Sequence, residues 1–202
     1  MAGWNAKGGE FGCNMADIGR HERLRTARRY LGGVPSSDIW ASLSMAERGD
    51  WKGLADHARS LVQRFPLAGY PRVVVGTVME QLGDMASALS EYRAAARLVP
   101  EFAPCHVLVG RTLRALGDFP GSVDELRVAY NLSSRPSPAL LCELGCALEG
   151  FGDLEGARAA WRAAVNAEKN WRSGGTGFSA ITADGSKQWA ARAREMLDAI
   201  GG

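Results

Sequence analysis

Four Gly-Asp dipeptides (Gly49-Asp50, Gly83-Asp84, Gly117-Asp118 and Gly152-Asp153) recur at intervals of 34, 34 and 35 residues. Each is followed at once by a large apolar residue: Trp51, Met85, Phe119 or Leu154. Seven residues further on stands Ala58, Tyr92, Leu126 or Trp161, and three beyond that Leu61, Ala95, Ala129 or Ala164. Seven residues before each glycine is a small residue: Ser42, Gly76, Gly110 or Gly145. Self-similarity at this period marks an array whose units cannot bury their apolar faces alone and must stack on their neighbours.

Within the second unit, Val75, Met79 and Leu82 recur at helical spacing, as do Leu89, Tyr92, Ala96 and Val99. Two helices per unit follow, joined at the Gly-Asp pair. The glycine of that pair can take the positive φ that ends a helix. The aspartate can accept backbone N–H bonds at the start of the next helix and suits its positive dipole end. The small residues at Gly76, Gly110 and Gly145 let the paired helices approach closely, although a glycine costs roughly 1 kcal/mol relative to alanine inside a helix. Pro120 falls in a first helical turn, where it is tolerated. The spacing predicts helices near 37–48, 52–64, 70–82, 86–98, 104–116, 120–132, 138–150 and 155–167. Gly76, Gly83, Gly110, Gly117, Gly145 and Gly152 are thus the glycines that define the repeat.

This register of small and large residues resembles the tetratricopeptide repeat family, whose 34-residue unit is a helix-turn-helix. The units are 35–68, 69–102, 103–137 and 138–171. Departures are Ser134 and Lys169 in place of the prolines Pro66 and Pro100, an extra residue near Arg135-Pro136-Ser137-Pro138, and Leu54 where a small residue is usual. The resemblance implies an all-α fold, a right-handed α-solenoid of helix-turn-helix repeats closed by a C-terminal capping helix. It further implies that positions 2, 5, 6, 9, 12 and 13 of each unit line a concave groove. The peptide-binding residues expected there are Ile39 and Leu43; Tyr70, Val73 and Thr77; Val107, Arg111 and Arg114; and Cys142, Glu143, Cys146 and Glu149. Tetratricopeptide domains that clamp the acidic C-terminus of heat-shock chaperones use Lys and Asn at positions 5 and 9. Here Ile39 and Val73, and Leu43 and Thr77, stand at those positions, which argues against a carboxylate clamp. Arg111 and Arg114 have two readings, as ion pairs with Glu143 or Glu149 or as a fork for a carboxylate of a bound segment.

The ends of the chain depart from the repeat. Residues 1–15 are glycine-rich and patternless, and a flexible N-terminal segment is expected. Residues 16–34 read as a basic N-terminal helix with Arg20, Arg23, Arg25, Arg28 and Arg29, docking Leu24, Ala27 and Leu31 onto the first repeat. Residues 172–187 read as a loop; its Gly174-Gly175-Thr176-Gly177 run lacks the Gly-Lys-Ser/Thr and preceding strand of a phosphate cradle. In the final segment, 188–202, Trp189, Ala193, Met196, Leu197 and Ile200 recur at helical spacing, with Ser186 as a candidate N-cap. That is the capping helix a solenoid needs to hide its last apolar face.

Composition narrows the function. Lys+Arg 24 against Asp+Glu 22 gives a net charge of +2, too balanced for a dedicated nucleic-acid binder. No apolar run is long enough for a membrane span, and no secretory leader is evident. Four cysteines in 202 residues do not make a disulfide scaffold, so reduced thiols and a cytoplasmic setting are expected. Cys105-His106 with Cys142 and Cys146 matches no usual zinc spacing, and neither a metal nor a cofactor is predicted. No nucleophile elbow, carboxylate pair or dinucleotide fingerprint appears, so no enzyme is expected. The function expected is that of a non-catalytic adaptor or scaffold taking a partner protein's peptide or helix in the groove, with self-association as a further option. A secretion-type or assembly chaperone is the first alternative. A nucleic-acid-associated protein using residues 20–29 is the second, and its affinity would fall steeply with salt.

Overall fold

The computed structural model describes residues 24–170 and 186–199. After a helical stretch at 24–31 (α1) come α2 (Ser36–Glu47) and α3 (Trp51–Arg64), α4 (Gly69–Gln81) and α5 (Met85–Leu98), α6 (Ala103–Ala115) and α7 (Phe119–Leu132), and α8 (Pro138–Phe151) and α9 (Leu154–Asn170). The last described helix is α10 (Ser186–Ala199). Among the described residues there is no strand. The chain is an all-α solenoid.

Each Gly-Asp turn works as its chemistry dictates. Gly49, Gly83, Gly117 and Gly152 have φ of 70°, 82°, 82° and 93°, the left-handed conformation that stops the first helix of each pair. The following Asp50, Asp84, Asp118 and Asp153 cap the second helix. Their carboxylates accept from the N–H of Gly53, Ser87, Gly121 and Gly156 at 2.9–3.0 Å.

Three of the four pairs are locked by a knob and a hole. A Cβ added at Gly76 would lie 2.5 Å from the Tyr92 ring, one at Gly110 2.7 Å from Leu126, and one at Gly145 2.3 Å from the Trp161 indole. Tyr92, Leu126 and Trp161 are fully buried in those holes. The α2–α3 pair has neither part: Ser42 fills the hole, and Ala58 stands where the knob belongs. Leu54 supplies bulk instead, one turn earlier than the knob position of the other pairs. The α2–α3 pair is packed much more loosely than the other pairs, and Ser42 is the one buried residue of α2.

The helices that flank the repeats pack onto the array in different ways. Leu24 was expected to anchor the first helix, but it is largely exposed and Tyr30 does the anchoring instead. The Tyr30 ring stacks on Phe102 at 4.3 Å and meets Tyr70 edge-on at 6.0 Å. Arg29 pairs with Glu101 and donates to the Leu98 carbonyl, so α1 reaches across to the α5–α6 corner. At the far end, α10 packs on both α8 and α9, where the first helix of a further unit would stand. The expected loop lies almost entirely in residues 171–185, which fall outside the described residues, as do residues 1–15.

Candidate interaction surface

The first helices of the units, α2, α4, α6 and α8, differ in what they leave open. On α2, Trp40 is 70% exposed, and Ile39 and Leu43 are half-buried. Thr77 on α4, Val107, Arg111 and Arg114 on α6, and Glu149 on α8 are half-buried too. Tyr70, Val73, Cys142, Glu143 and Cys146 are buried and present no groove surface as the chain stands, contrary to the expectation from their repeat positions. The position rule describes an isolated unit. Here Tyr30 of α1 covers Tyr70, and α10 packs over α8. An aspartate at Val73 would therefore test folding, not binding.

Two charged rungs tie neighbouring units together across this face. Arg111 donates to both Glu80 oxygens, at 2.9 and 2.8 Å. Its partner is thus the preceding unit, not Glu143 or Glu149 as the sequence suggested. The Tyr92 hydroxyl donates to the same Glu80 at 2.7 Å, and burial followed by the Glu80 charge pushes this phenol far above its ordinary pKa. Arg114 donates to Glu143 through Nε at 3.2 Å and Nη2 at 2.9 Å. With Glu143 only 3% exposed, Arg114 compensates a charge that water cannot reach. Both arginines are committed within the fold, which disfavours their serving as a free carboxylate fork.

A second set of contacts clips the two helices of a unit at residues 19 apart. Arg72 meets Glu91 at 3.1 Å, and His106 Nδ1 meets Glu125 at 2.8 Å. In the first unit the contact goes to the backbone instead: His57 Nε2 lies 3.1 Å from the Asp38 main-chain carbonyl, while the Asp38 carboxylate pairs with Arg64. The fourth unit has buried Leu141 and Ala160 at these places. Nε2 of His106 also lies 2.9 Å from the Pro100 carbonyl, so both ring nitrogens face acceptors. The Glu125 hydrogen bond, against burial, raises the His106 pKa. Complementary charges at a fixed interval of 19 within the repeat were the sequence signal for these clips.

Among the described residues, Cys105 lies apart from Cys142 and Cys146. Cys105 is buried in the core formed by the first units, where burial pushes its thiol up to about 12. Cys142 and Cys146 lie in the core around α8 and α9. The Cys146 thiol is pulled below its ordinary value, first by the hydrogen bond with Cys142 and then by the Arg114 and Arg192 charges, against burial and Glu143. Cys142 is pushed up by the same hydrogen bond and by burial. Among the described residues no group of three His, Cys, Asp or Glu could hold a metal ion. Of the basic segment, Arg25, Arg28 and Arg29 are described and exposed, with Arg29 paired to Glu101, while Arg20 and Arg23 lie outside the described residues.

Helix pairs of this length, turned at left-handed glycines and stacked in one direction, define a tetratricopeptide-type α-solenoid. Solved structures of that type are similar to it in fold. The thermophilic TPR protein TTC0263 of Thermus thermophilus superposes with a TM-score of 0.59 at 21% identity, over 77% of this chain and 87% of that one. MamA (residues 41 to the end) from Desulfovibrio magneticus RS-1 gives 0.58 at 16% identity, over 81% and 93%. A chain of a T3SS complex from Aeromonas hydrophila gives 0.54 at 20%, over 64% and 78%. No family model matches the chain, and no curated protein matches it. Among the described residues, no helix is long and apolar enough to cross a membrane.

Proposed function

We propose that the chain is a non-catalytic interaction adaptor, holding an apolar segment of a partner protein against α2 and the adjoining half-buried residues of α4 and α6. One observation carries this reading. Helix α2 has a 70% exposed Trp40 beside half-buried Ile39 and Leu43, at the loosest joint of the solenoid. A large exposed aromatic next to apolar neighbours is the kind of anchor that dominates interface energetics, and an apolar helix face or extended segment is its natural complement. The buried Tyr70 and Val73 of α4 lie in the same core as Ile39 and back that surface.

The adaptor reading is tested by capture from the native host with three proteins: wild type, Trp40→Ala/Leu43→Asp, and a control carrying Tyr130→Ala on α7. A partner retained by wild type and control but lost from the double variant is the expected result. Its purified form should bind the double variant at least about 30-fold more weakly, the scale of a lost hot spot. Identical retained sets would place the binding surface elsewhere. A secretion-type or assembly chaperone is the second reading, favoured by the likeness to a chain of a T3SS complex. Its distinguishing result is a client that is soluble only on co-expression.

A further inference from the structure

The turn between α5 and α6 is held from two sides. On one side it receives α1: Arg29 donates to the Leu98 carbonyl and pairs with Glu101, and the Tyr30 ring stacks on Phe102. On the other, His106 Nε2 lies 2.9 Å from the Pro100 carbonyl, while its Nδ1 lies 2.8 Å from the Glu125 carboxylate on α7. Pro100 thus stands between the residues on which α1 docks, and a single imidazole ties it to α7. We propose that His106 is a proton-operated latch: protonated, it holds the α5–α6 turn in the shape that receives α1, and loss of the proton releases α1 from the array.

Hydrogen-bond chemistry gives the latch its direction. A carbonyl and an ionised carboxylate accept hydrogen bonds and donate none, so both ring nitrogens must donate, and only the imidazolium has two N–H groups. Neutral imidazole keeps one. The carboxylate, as the charged acceptor, holds it, and Nε2 then turns a lone pair toward the Pro100 oxygen. Attraction becomes repulsion there, and the turn relieves it by moving away. Among the described residues, Glu125 from α7 is the one charged group acting on the ring; the α5 side presents the neutral Pro100 carbonyl, and no charge from α1 or α8 reaches it. The Glu125 hydrogen bond raises the His106 pKa against burial, so the latch opens above the ordinary histidine value of about 6.5.

The other units lack this device. Arg72 and Leu141 hold the corresponding positions of the second and fourth units, and neither changes charge in this range. In the first unit His57 Nε2 meets the Asp38 carbonyl, a contact that neutral imidazole can make. Release at the third unit also has a consequence. Tyr30 meets Tyr70 edge-on at 6.0 Å, and Tyr70 is buried while α1 is docked. Undocking bares Tyr70 and Phe102 together.

The test is amide hydrogen exchange of residues 24–31 in the full chain from about pH 5 to about pH 9, with the intrinsic pH dependence of exchange divided out, beside an NMR titration of the histidines. Protection of α1 should fall at least about fivefold, the worth of one hydrogen bond, with its midpoint at the His106 titration and above about 6.5. Protection independent of pH would overturn the proposal, as would a His106 midpoint at or below about 6.5 or an α1 midpoint apart from it. His106→Gln should make α1 protection flat with pH, and Glu125→Gln should move the midpoint down; a wild-type profile in either variant refutes the latch. Tyr30→Ala undocks α1 without touching the histidine, and by reciprocity should lower the His106 midpoint. An unmoved midpoint would mean that the histidine and α1 are uncoupled. Should a variant fail to fold, agreement or disagreement of the two wild-type midpoints decides.

Discussion

The first and fourth units are built from the same repeat and hold together in different ways. In the fourth, Gly145 opens a hole that Trp161 fills, and the indole atoms lie within 2.3–2.8 Å of where a Cβ would stand. Most of α8, from Leu140 to Leu148, is then buried between α6 and α7 on one side and α9 and α10 on the other. In the first, Ser42 and Ala58 leave nothing to interlock, and α2 keeps Trp40 in water. The repeat signature fixes where helices turn, through Gly-Asp pairs common to both units. It does not fix how firmly they close, which depends on one matched pair of residues. A solenoid can therefore keep a rigid end and an open end within one register, and the open end is where a partner can gain apolar contact without first displacing the core.

The comparison breaks most directly at Trp161. Trp161→Ala removes a fully buried indole that neighbours on α8 cannot replace, and should cost about 3–5 kcal/mol of global stability, read from urea unfolding. Trp40→Ala on α2 should change it by less than about 0.5 kcal/mol, as at an ordinary surface position. Comparable losses at the two sites would mean that α2 is as firmly seated as α8.

A smaller effect separates the third unit from the fourth. His106 faces the Glu125 carboxylate from α7 and the Pro100 carbonyl ahead of α6, and both contacts favour the imidazolium. A raised folded-state pKa means the stabilisation is fully present below the unfolded value of about 6.5 and is lost as pH rises through the folded one. Wild type should therefore lose stability as pH rises above about 6.5 and through the raised folded-state pKa, and His106→Gln should lose less over the same rise. The fourth unit has Leu141 and Ala160 at these positions and contributes no such slope. Parallel pH profiles for the two proteins would show that the clip carries no charge.

How far the sequence foretold this molecule follows from the range of each interaction. The turns were legible because Gly49 and Asp50, and their three counterparts, act on adjacent backbone. The interlocked pairs were legible because Gly76 and Tyr92, Gly110 and Leu126, and Gly145 and Trp161 recur at one position each. The rung from Glu80 to Arg111 was not, since it joins different units and nothing in either unit alone requires it. Tyr30 was missed for a related reason: its neighbours Tyr70 and Phe102 stand at the two ends of the second unit, outside the face its own helix displays. The burial of Tyr70 and Cys142 depends on what α1 and α10 cover, and no property of the repeat encodes that. Of the candidate surface, the repeat spacing predicts a helix near 37–48 bearing Ile39 and Leu43 but gives no sign that Tyr70 and Val73 are buried.

The finest discrimination comes from deleting the same cap in both units. Asp50 and Asp153 each accept a backbone N–H at 2.9 Å, from Gly53 and Gly156, so Asp→Ala removes the same bond from α3 and from α9. Loss of an N-cap costs about 1 kcal/mol. In the fourth unit, opening the start of α9 also loosens what holds α8, so Asp153→Ala should lower global stability by the full amount. In the first unit, the turn joins a loosely seated α2 to α3, whose anchors Leu54, Ala58 and Leu61 lie deeper along the helix. Asp50→Ala should then act mainly through local opening. Amide hydrogen exchange should quicken across α2 and the first turn of α3, while the urea midpoint moves less than half as far as for Asp153→Ala. Equal midpoint shifts would mean that the first unit unfolds only with the whole array, and that Trp40 sits on a surface as rigid as the rest.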